Sequence, residues 1–302
     1  MIKKLLFFHC FLFVVLSVWA QPKEGIDYIG ILKKWDAYNP EERVSLQNFQ
    51  YQSSNNPELA ALRKDFKLDS IAGFGTEVSR LLNILHWVHN TVKHDGSIES
   101  GIEEVNARTI ITTAMQKGIG VSCGELSTTL NECYLAMGWA SRKVYCLPLD
   151  SAGNDHDSHV INAVYLSSQK KWIWVDPTHD AYVMDENGEL LSIAEVRDRL
   201  ITGKPMIVNP DANWNHRSST VKSYYLMKYM AKNLYMLFSP LSNEFGYESK
   251  NKQHMVEYVY LVPLNHPKKR ESRKEIYGAY IGRNVVINNI SNAEWFWKPP
   301  VR

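Results

Sequence analysis

One segment most strongly limits the folds that this chain can adopt. It is a predicted helix that begins at Cys123 and is followed directly by three predicted strands. Apolar residues recur every three or four positions after Cys123, and Gly138 ends the pattern. Those positions are Leu126, Leu130, Cys133 and Met137. Segments 142–147, 159–166 and 171–175 have the composition of strands, and a short turn joins the last two into a hairpin. The pattern favours an α+β fold in which this helix packs on an antiparallel sheet.

Further helices and strands are expected on both sides of this segment. Amphipathic helices are predicted at 76–92 and from Asn106 to Lys117, and a shorter one opens at Pro57. Residues 21–56 are mixed and polar, and we expect them to be irregular. Downstream, the pattern predicts a helix and three strands, at 219–231, 234–238, 255–262 and 283–287.

The first 20 residues have the pattern of a secretory signal peptide. Lys3 and Lys4 precede a nearly continuous apolar run, and the small residue Ala20 suits cleavage. The run at 5–19 has 15 residues, which is shorter than the roughly 20 that span a bilayer. We therefore expect cleavage after Ala20, no membrane span in the mature chain, and a periplasmic or extracellular location.

The charges of the chain are nearly balanced. It has 302 residues, with 34 Lys and Arg against 32 Asp and Glu, and the two excess cations lie in the expected signal peptide. A neutral mature protein has no general field that attracts polyanions, so we expect no nucleic-acid partner. A hydrophobic content of 45% is that of a globular protein and excludes a disordered or collagen-like chain.

Three cysteines, Cys123, Cys133 and Cys146, follow the expected signal peptide. An odd number in an exported protein indicates a free thiol or an intermolecular bond. Cys123 and Cys133 are ten positions apart on one helix, which separates them by roughly 15 Å, whereas a disulfide needs Cα atoms within about 7 Å. A bond between Cys133 and Cys146 stays open.

Cys123 lies where a glycine-flanked loop turns into a helix. The free N–H groups and partial positive charge of a helix N-terminus favour the thiolate, which is the nucleophilic form of cysteine. The same N–H groups suit the oxyanion of a tetrahedral intermediate. Cys123 is therefore a candidate nucleophile.

His159 and Asp176 lie on the two arms of the predicted hairpin. A turn centred on Ser167 and Ser168 places them directly opposite each other, and opposite residues share a face of the sheet. An error of two positions would make them diagonal neighbours, whereas an error of one would separate their faces. In this arrangement Asp176 orients His159, and His159 takes the proton of Cys123.

Four short segments carry a resemblance to a known family: 118–123, 138–142, 159–160 and 172–178. In composition and order they resemble the transglutaminase-like superfamily, whose fold is papain-like. The candidate Cys, His and Asp follow the family's order, at separations of 36 and 17 positions. The resemblance covers residues 76–182. One departure is that Ile161 and Ala163 stand where many relatives have Trp and Glu after the histidine.

The resemblance implies a cysteine-dependent acyl-transfer enzyme that acts on peptide or carboxamide bonds of a peptide or protein substrate. Cys123 would be the nucleophile, His159 the base and then the acid, and Asp176 the group that orients the histidine. We expect hydrolysis, as in a protease or amidase, rather than cross-linking. The alternative is a non-catalytic module of the cell envelope that keeps the fold and binds peptide or glycan. The predicted parts of the chain are a signal peptide, an N-terminal extension, a catalytic core and a C-terminal part packed on it, at 1–20, 21–75, 76–182 and 183–302.

Parts of the sequence also match two other chemistries. Residues 120–124 match the G-x-S-x-G pattern of serine hydrolases, but a helix rather than a strand precedes Ser122, and the best Asp follows the best His. Two clusters hold residue types that bind zinc: Asp155, His156, Asp157, His159, His179 and Asp180. No HExxH, paired CxxC or EF-hand pattern accompanies them, so we expect no cofactor.

Overall fold

The structure is a computed structural model that describes residues 25–97, 100–149, 158–249, 255–266, 273–278 and 283–301. The predicted signal peptide and nearly all of the predicted polar loop at 150–158 lie outside these ranges. The described helices are α1 Tyr28–Lys34, α2 Pro57–Asp65, α3 Leu68–Ala72, α4 Glu77–Thr91, α5 Ala107–Lys117, α6 Cys123–Ala136, α7 Ile193–Thr202, α8 Lys222–Tyr224, α9 Ala231–Asn233 and α10 Ala293–Phe296, with a π-helix, Tyr225–Met230, between α8 and α9. None of these helices has the length and apolar composition needed to cross a bilayer.

The described strands are β1 Gln50–Tyr51, β2 Ser141–Leu147, β3 His159–Leu166, β4 Lys171–Asp176, β5 Ala181–Met184, β6 Ile207–Val208, β7 Asn213–Trp214, β8 Ser218–Ser219, β9 Met236–Pro240, β10 Ser242–Asn243, β11 Val256–Leu261, β12 Arg273–Gly278 and β13 Arg283–Ile290. Nine of them form one sheet in the order β12-β13-β11-β9-β2-β3-β4-β5-β6. Neighbouring strands are antiparallel except β11 and β13. The expected α+β fold is therefore confirmed, with α6 packed on β2 and β3.

Side-chain caps explain where the predicted helices begin. The side chain of Thr76 accepts from the N–H of Ser79 before α4, and the side chain of Asn106 accepts from the N–H of Thr109 before α5. Such caps satisfy backbone donors that have no partner within the helix. The helices predicted at 76–92, from Asn106 and from Pro57 are confirmed.

Hydrophobic clusters cover both faces of the large sheet. On one face, Ile173 and Val175 of β4 pack with α2 to α6. On the other, Trp172 and Trp174 pack with β9, β11 and α7. Because β4 is buried on both sides, its alternating side chains belong to two different clusters, and Asp176 at its end is fully buried.

The hairpin of β3 and β4 differs from the prediction by two positions. The turn has four residues, Ser167 to Lys170, so Val175 pairs with Asn162 and not with Val160, the partner that the predicted turn implies. Glu77 accepts hydrogen bonds from the N–H groups of Ser167 and Ser168 at 3.1 and 2.8 Å and thereby holds the wider turn. An even shift keeps every side chain on its predicted face, so His159 and Asp176 become diagonal neighbours.

Two other expectations were wrong. Residues 21–56 are not wholly irregular, because α1 forms after Asp27, whose side chain accepts from the N–H of Gly30 at 2.8 Å, and β1 pairs with β10. The helix expected at 219–231 starts at Lys222, because Ser219 instead pairs with Asn213 in the β7–β8 hairpin. Most of that helix is a π-helix, whose i to i+5 bonds make a wider turn.

Candidate active site

Cys123 is the first residue of α6 and is half-buried. Ser122 precedes it as the N-cap and forms a capping box with Glu125. The hydroxyl of Ser122 donates to Glu125 Oε2 at 2.8 Å, and its oxygen accepts from the N–H of Glu125 at 3.3 Å. The cap therefore uses the Ser122 hydroxyl and leaves the thiol of the next residue at the free N–H groups of the helix.

His159 and Asp176 are in contact at the end of the β3–β4 hairpin. The ring nitrogen Nε2 of His159 donates to Asp176 Oδ2 at 2.8 Å, and the two residues are 1% and 0% exposed. Asp176 Oδ1 also accepts from the N–H of Thr178 at 2.9 Å. Since Nε2 is bound to the carboxylate, Nδ1 is the nitrogen of His159 that is left for its hydrogen bond with Cys123.

The charges of these three groups depend on one another. Burial acts to raise the pKa of the Cys123 thiol, but hydrogen bonds from His159 and His94 and the charge of His159 outweigh it and lower the pKa to about 6. Burial acts to lower the pKa of His159, yet the charge and hydrogen bond of Asp176 raise it to about 10. Burial opposes ionisation of Asp176, whose pKa His159 nevertheless holds far below its ordinary value. Near neutral pH the site therefore holds a thiolate beside an imidazolium.

His94, which the sequence pattern did not single out, is a second histidine on the thiol. It lies in the loop after α4 and hydrogen-bonds to Cys123. A parallel bridge holds this loop against residues 118–122, the loop that precedes Cys123 and is called the nucleophile loop below. The N–H of Asp95 donates to Val121 O at 2.7 Å, and the N–H of Val121 donates to Lys93 O at 2.9 Å. A lone histidine in a polar loop has no sequence signal that would have indicated this contact.

Tyrosine side chains of the π-helix pack beside His159 and Asp176. The hydroxyl of Tyr225 donates to Asp176 Oδ2 at 2.6 Å. The ring of Tyr229 lies 5.2 Å from that of His159, and the ring of His179 lies 4.8 Å from that of Tyr225. The sequence showed a group of tyrosines here but not their contact with Asp176, which comes from 49 positions away.

Comparison with known proteins identifies the core. Residues 65–177 match the family model described as the Transglutaminase-like superfamily. By this match, residues 65–177 form a transglutaminase-like segment. It contains Cys123, His159 and Asp176 and, apart from Thr178, the four segments that carried the resemblance. A transglutaminase-like core is consistent with a cysteine-dependent enzyme at the level of the family.

The other two comparisons add little. One solved structure that matches is a candidate cysteine protease from Cytophaga hutchinsonii, with 20% sequence identity and a TM-score of 0.30. The match covers 53% of the present chain and 53% of that protein, so the chain spans about half the length of the structure that it matches. No conclusion about the present site rests on a likeness at this level. A search of curated proteins gives no match.

The positions at which this transglutaminase-like core departs from many relatives lie in the protein interior. Ile161 and Ala163 are both fully buried and pack in the same hydrophobic cluster as Trp174. They point away from the other face of β3, where Asn162 donates to Ser127 O of α6 at 2.9 Å. Apolar residues therefore suit these two positions because they fill the core.

Residue types that could hold a metal converge at one point. One ligand atom from each of His159, Asp176 and His179 lies within 4.8 Å of the others. Hydrogen bonds already engage these groups, including His179 Nδ1 with the Thr220 hydroxyl at 3.0 Å. Asp180 pairs with His86 instead, and residues 155–157 of the predicted clusters lie outside the described residues.

All three cysteines in the described ranges are free thiols. Cys133 and Cys146, whose pairing the sequence left open, are both fully buried and are not bonded to each other. Burial raises the pKa of each thiol well above its ordinary value. Cys123 is thus the one thiol of the described chain with a lowered pKa.

Proposed function

We propose that this chain is an exported cysteine-dependent acyl-transfer enzyme that acts on peptide or carboxamide bonds of peptides or proteins. One observation carries the proposal. The Cys123 thiol, whose pKa is lowered to about 6, lies at a helix N-terminus in hydrogen-bond contact with His159, which is itself bound to the buried Asp176. A perturbed nucleophile with an oriented base is the arrangement that covalent acyl transfer requires.

In the first step, the thiolate of Cys123 attacks the carbonyl carbon of the substrate and forms a C–S bond. The π electrons of the carbonyl move to oxygen, and the N–H of Cys123 at the start of α6 donates to this oxyanion. When the intermediate collapses, the C–N bond breaks, and the proton of His159 Nδ1 passes to the leaving amine. The products are a thioester on Cys123 and a free amine. His159 is then neutral and can act as a base.

In the second step, His159 takes a proton from water, and the hydroxide attacks the thioester. The C–S bond breaks, the thiolate returns, and an acid is released. An amine in place of water would give a new amide, as in a cross-linking enzyme. We propose hydrolysis as the main outcome, by analogy with exported relatives of the superfamily. A competition experiment with an added primary amine tests this preference. Mass spectrometry should then find the hydrolysed acid in excess over the amide, and a predominant amide product would reassign the enzyme as a transferase.

Export is part of the same proposal and rests on the sequence of residues 1–20. N-terminal sequencing of protein secreted from a bacterial host should begin at Gln21. Protein that retains Met1 and stays in the cytoplasm would contradict it. Because the chain has no excess charge after this cleavage, we do not expect it to attract substrate by long-range electrostatics.

Thiol labelling tests the chemistry without a known substrate. Iodoacetamide should alkylate Cys123 rapidly at pH 7, because most of the thiol is ionised there. His159→Ala should slow this reaction, and the buried Cys133 and Cys146 serve as internal controls that stay unlabelled in the folded protein. Peptide mapping by mass spectrometry assigns the label.

The same experiment decides against the non-catalytic alternative. A peptide- or glycan-binding module that merely keeps the fold has no need of an ionised thiol. If Cys123 reacts no faster than free cysteine, or if His159→Ala leaves its rate unchanged, the catalytic proposal is wrong and the binding module becomes the better explanation.

A further inference from the structure

The two ring nitrogens of His94 have partners of different kinds. The indole N–H of Trp214 points at His94 Nδ1 with a distance of 3.1 Å. An indole nitrogen only donates, so Nδ1 must accept with its lone pair and carries no proton. His94 is therefore the neutral tautomer with its proton on Nε2, which is the nitrogen left to donate to Cys123.

We propose that His94 is a catalytic residue that donates a fixed Nε2–H hydrogen bond to the sulfur of Cys123 and then to the oxyanion formed on the attacked carbonyl. In this assignment, which rests on the proposed acyl transfer, His94 neither gives up nor takes a proton, and Trp214 is the positioning residue that holds its tautomer. The attacked carbon is bonded to sulfur and its oxygen lies one bond further, so a donor that reaches the sulfur borders the oxyanion. A donor fixed before reaction stabilises that charge without reorganisation.

His94 and His159 thereby have opposite chemistry at one thiol. The partner of His159 is a carboxylate, which accepts, so the ring is held as a cation that can transfer a proton. The partner of His94 is an indole, which donates, so the ring is held neutral. A neutral imidazole keeps its proton when it donates, since losing it would leave an anion. The group bound to the ring nitrogen that faces away from Cys123 therefore decides the role of each histidine. A carboxylate there makes His159 the base, and an indole there makes His94 the fixed donor.

A hairpin of the C-terminal part fixes the backbone of His94. Asn215 Oδ1 accepts from the N–H of His94 at 2.9 Å, and Asn215 Nδ2 donates to His94 O at 2.8 Å. Asn215 and its neighbour His216 have φ values of +51° and +56°, and the N–H of Arg217 donates to Trp214 O at 2.9 Å to close the turn. Left-handed backbone at two consecutive non-glycine residues is uncommon and costs free energy, and here it aims both Trp214 and Asn215 at His94.

The nucleophile loop is shaped to receive His94 as well. A Cβ atom at Gly120 would lie 2.6 Å from Cβ of Asp95, 3.0 Å from its backbone nitrogen and 3.2 Å from the carbonyl carbon of His94. Only glycine permits this approach of the two loops. His94 is 6% exposed, so its ring is enclosed beside the thiol, and water competes little for its hydrogen bonds.

The tautomer is tested directly on the full protein labelled with 15N-histidine. We expect the His94 signal, assigned by its loss in His94→Gln, to show an unprotonated Nδ1 and a protonated Nε2 near neutral pH. In Trp214→Phe the Nδ1 signal should move toward that of a protonated nitrogen. A proton on His94 Nδ1 in the unmodified protein would overturn the assignment whether or not the enzyme is active.

Kinetics test the catalytic role with p-nitrophenyl acetate, which acylates a thiol through an oxyanion, and iodoacetamide, which alkylates it without one. His94→Ala should slow the burst of nitrophenolate by about 10²-fold more than it slows alkylation, the loss expected for one oxyanion donor. His94→Gln, whose amide can still donate, should recover part of that loss. Equal slowing of the two reactions would show that His94 acts only on the thiolate and would overturn the oxyanion role.

Trp214 is tested as a positioning residue by coupling. Trp214→Phe should slow the burst several-fold in the unmodified protein and have no further effect in His94→Ala, because its action passes through the imidazole. Trp172→Phe is the matched control, because it also removes a hydrogen bond of an indole N–H, which here donates to Lys298 O at 3.1 Å. Trp172 lies at the end of β4 opposite Asp176 and so outside the site. Additive effects of Trp214→Phe and His94→Ala would overturn the positioning role. An unmodified protein whose Cys123 shows no burst would instead refute the proposed function, so the two failures are distinguishable.

Discussion

Asp176→Asn separates the charge of the carboxylate from its shape. The amide has nearly the same shape and keeps one acceptor oxygen, which can face His159 Nε2 or the N–H of Thr178 but not both, and it loses the negative charge. That charge outweighs burial and helps to raise the pKa of His159 from 6.5 to about 10, which corresponds to about 5 kcal/mol. Without it, His159 should be largely neutral at pH 7, and Cys123 should lose the cation that stabilises its thiolate.

The expected loss of reactivity follows from the thiol pKa. A pKa of about 6 leaves roughly nine-tenths of Cys123 ionised at pH 7, and the ordinary value of 9.0 would leave about 1%. The ceiling on the effect is therefore about 90-fold. A nearby opposite charge is worth 1–3 pKa units, and a change of two units would slow alkylation about tenfold at pH 7.

The assay is the rate of iodoacetamide alkylation at Cys123 between pH 4 and pH 10. The midpoint of the rise should lie near pH 6 in the unmodified protein and about two units higher in Asp176→Asn. Asp180→Asn is the matched control, because Asp180 is also a buried carboxylate in the same region but pairs with His86. A midpoint that stays near pH 6 in Asp176→Asn, in protein shown by circular dichroism to be folded, would refute the electrostatic coupling.

Three further variants test the surroundings of the site. Ser122→Ala removes the cap of α6, so the free energy of unfolding in urea should fall by about 1 kcal/mol while Cys123 still reacts. Loss of the nitrophenolate burst with intact alkylation of Cys123 would instead indicate Ser122 as the nucleophile. Tyr225→Phe removes the 2.6 Å hydrogen bond to the Asp176 carboxylate, and the same urea titration should show a loss of about 2 kcal/mol; an unchanged midpoint would mean that water replaces the hydroxyl. Burial lowers the pKa of His179 from 6.5 to about 4, so the unfolded chain binds this proton first and stability is lost as pH falls through that window, by about 3 kcal/mol in total. His179→Gln should flatten the decline, as measured by urea titrations between pH 7 and pH 4, and an unchanged slope would contradict the assigned cause.

Local pattern accounts for the parts that were predicted correctly. The spacing of apolar residues predicted α4, α5 and α6, and Asn106 indicated where α5 begins, because both signals depend on neighbours within one or two turns. The partnership of His159 with Asp176 survived a register error because strand faces alternate with a period of two. The error itself came from Glu77, whose carboxylate holds a four-residue turn from 90 positions away.

The amino-acid sequence by itself determined the α+β class, the helix that presents Cys123, and the faces on which His159 and Asp176 lie. These follow from periodicity and from motifs that are short in sequence. Only the tertiary structure decided that Trp214 reaches His94 across 120 positions and that Tyr225 reaches Asp176 across 49. Such contacts carry no local signal, since a hydrogen bond between distant segments depends on how the whole sheet and its loops pack. The protonation states at the thiol depend on those contacts, and for that reason they could be assigned only from the folded protein.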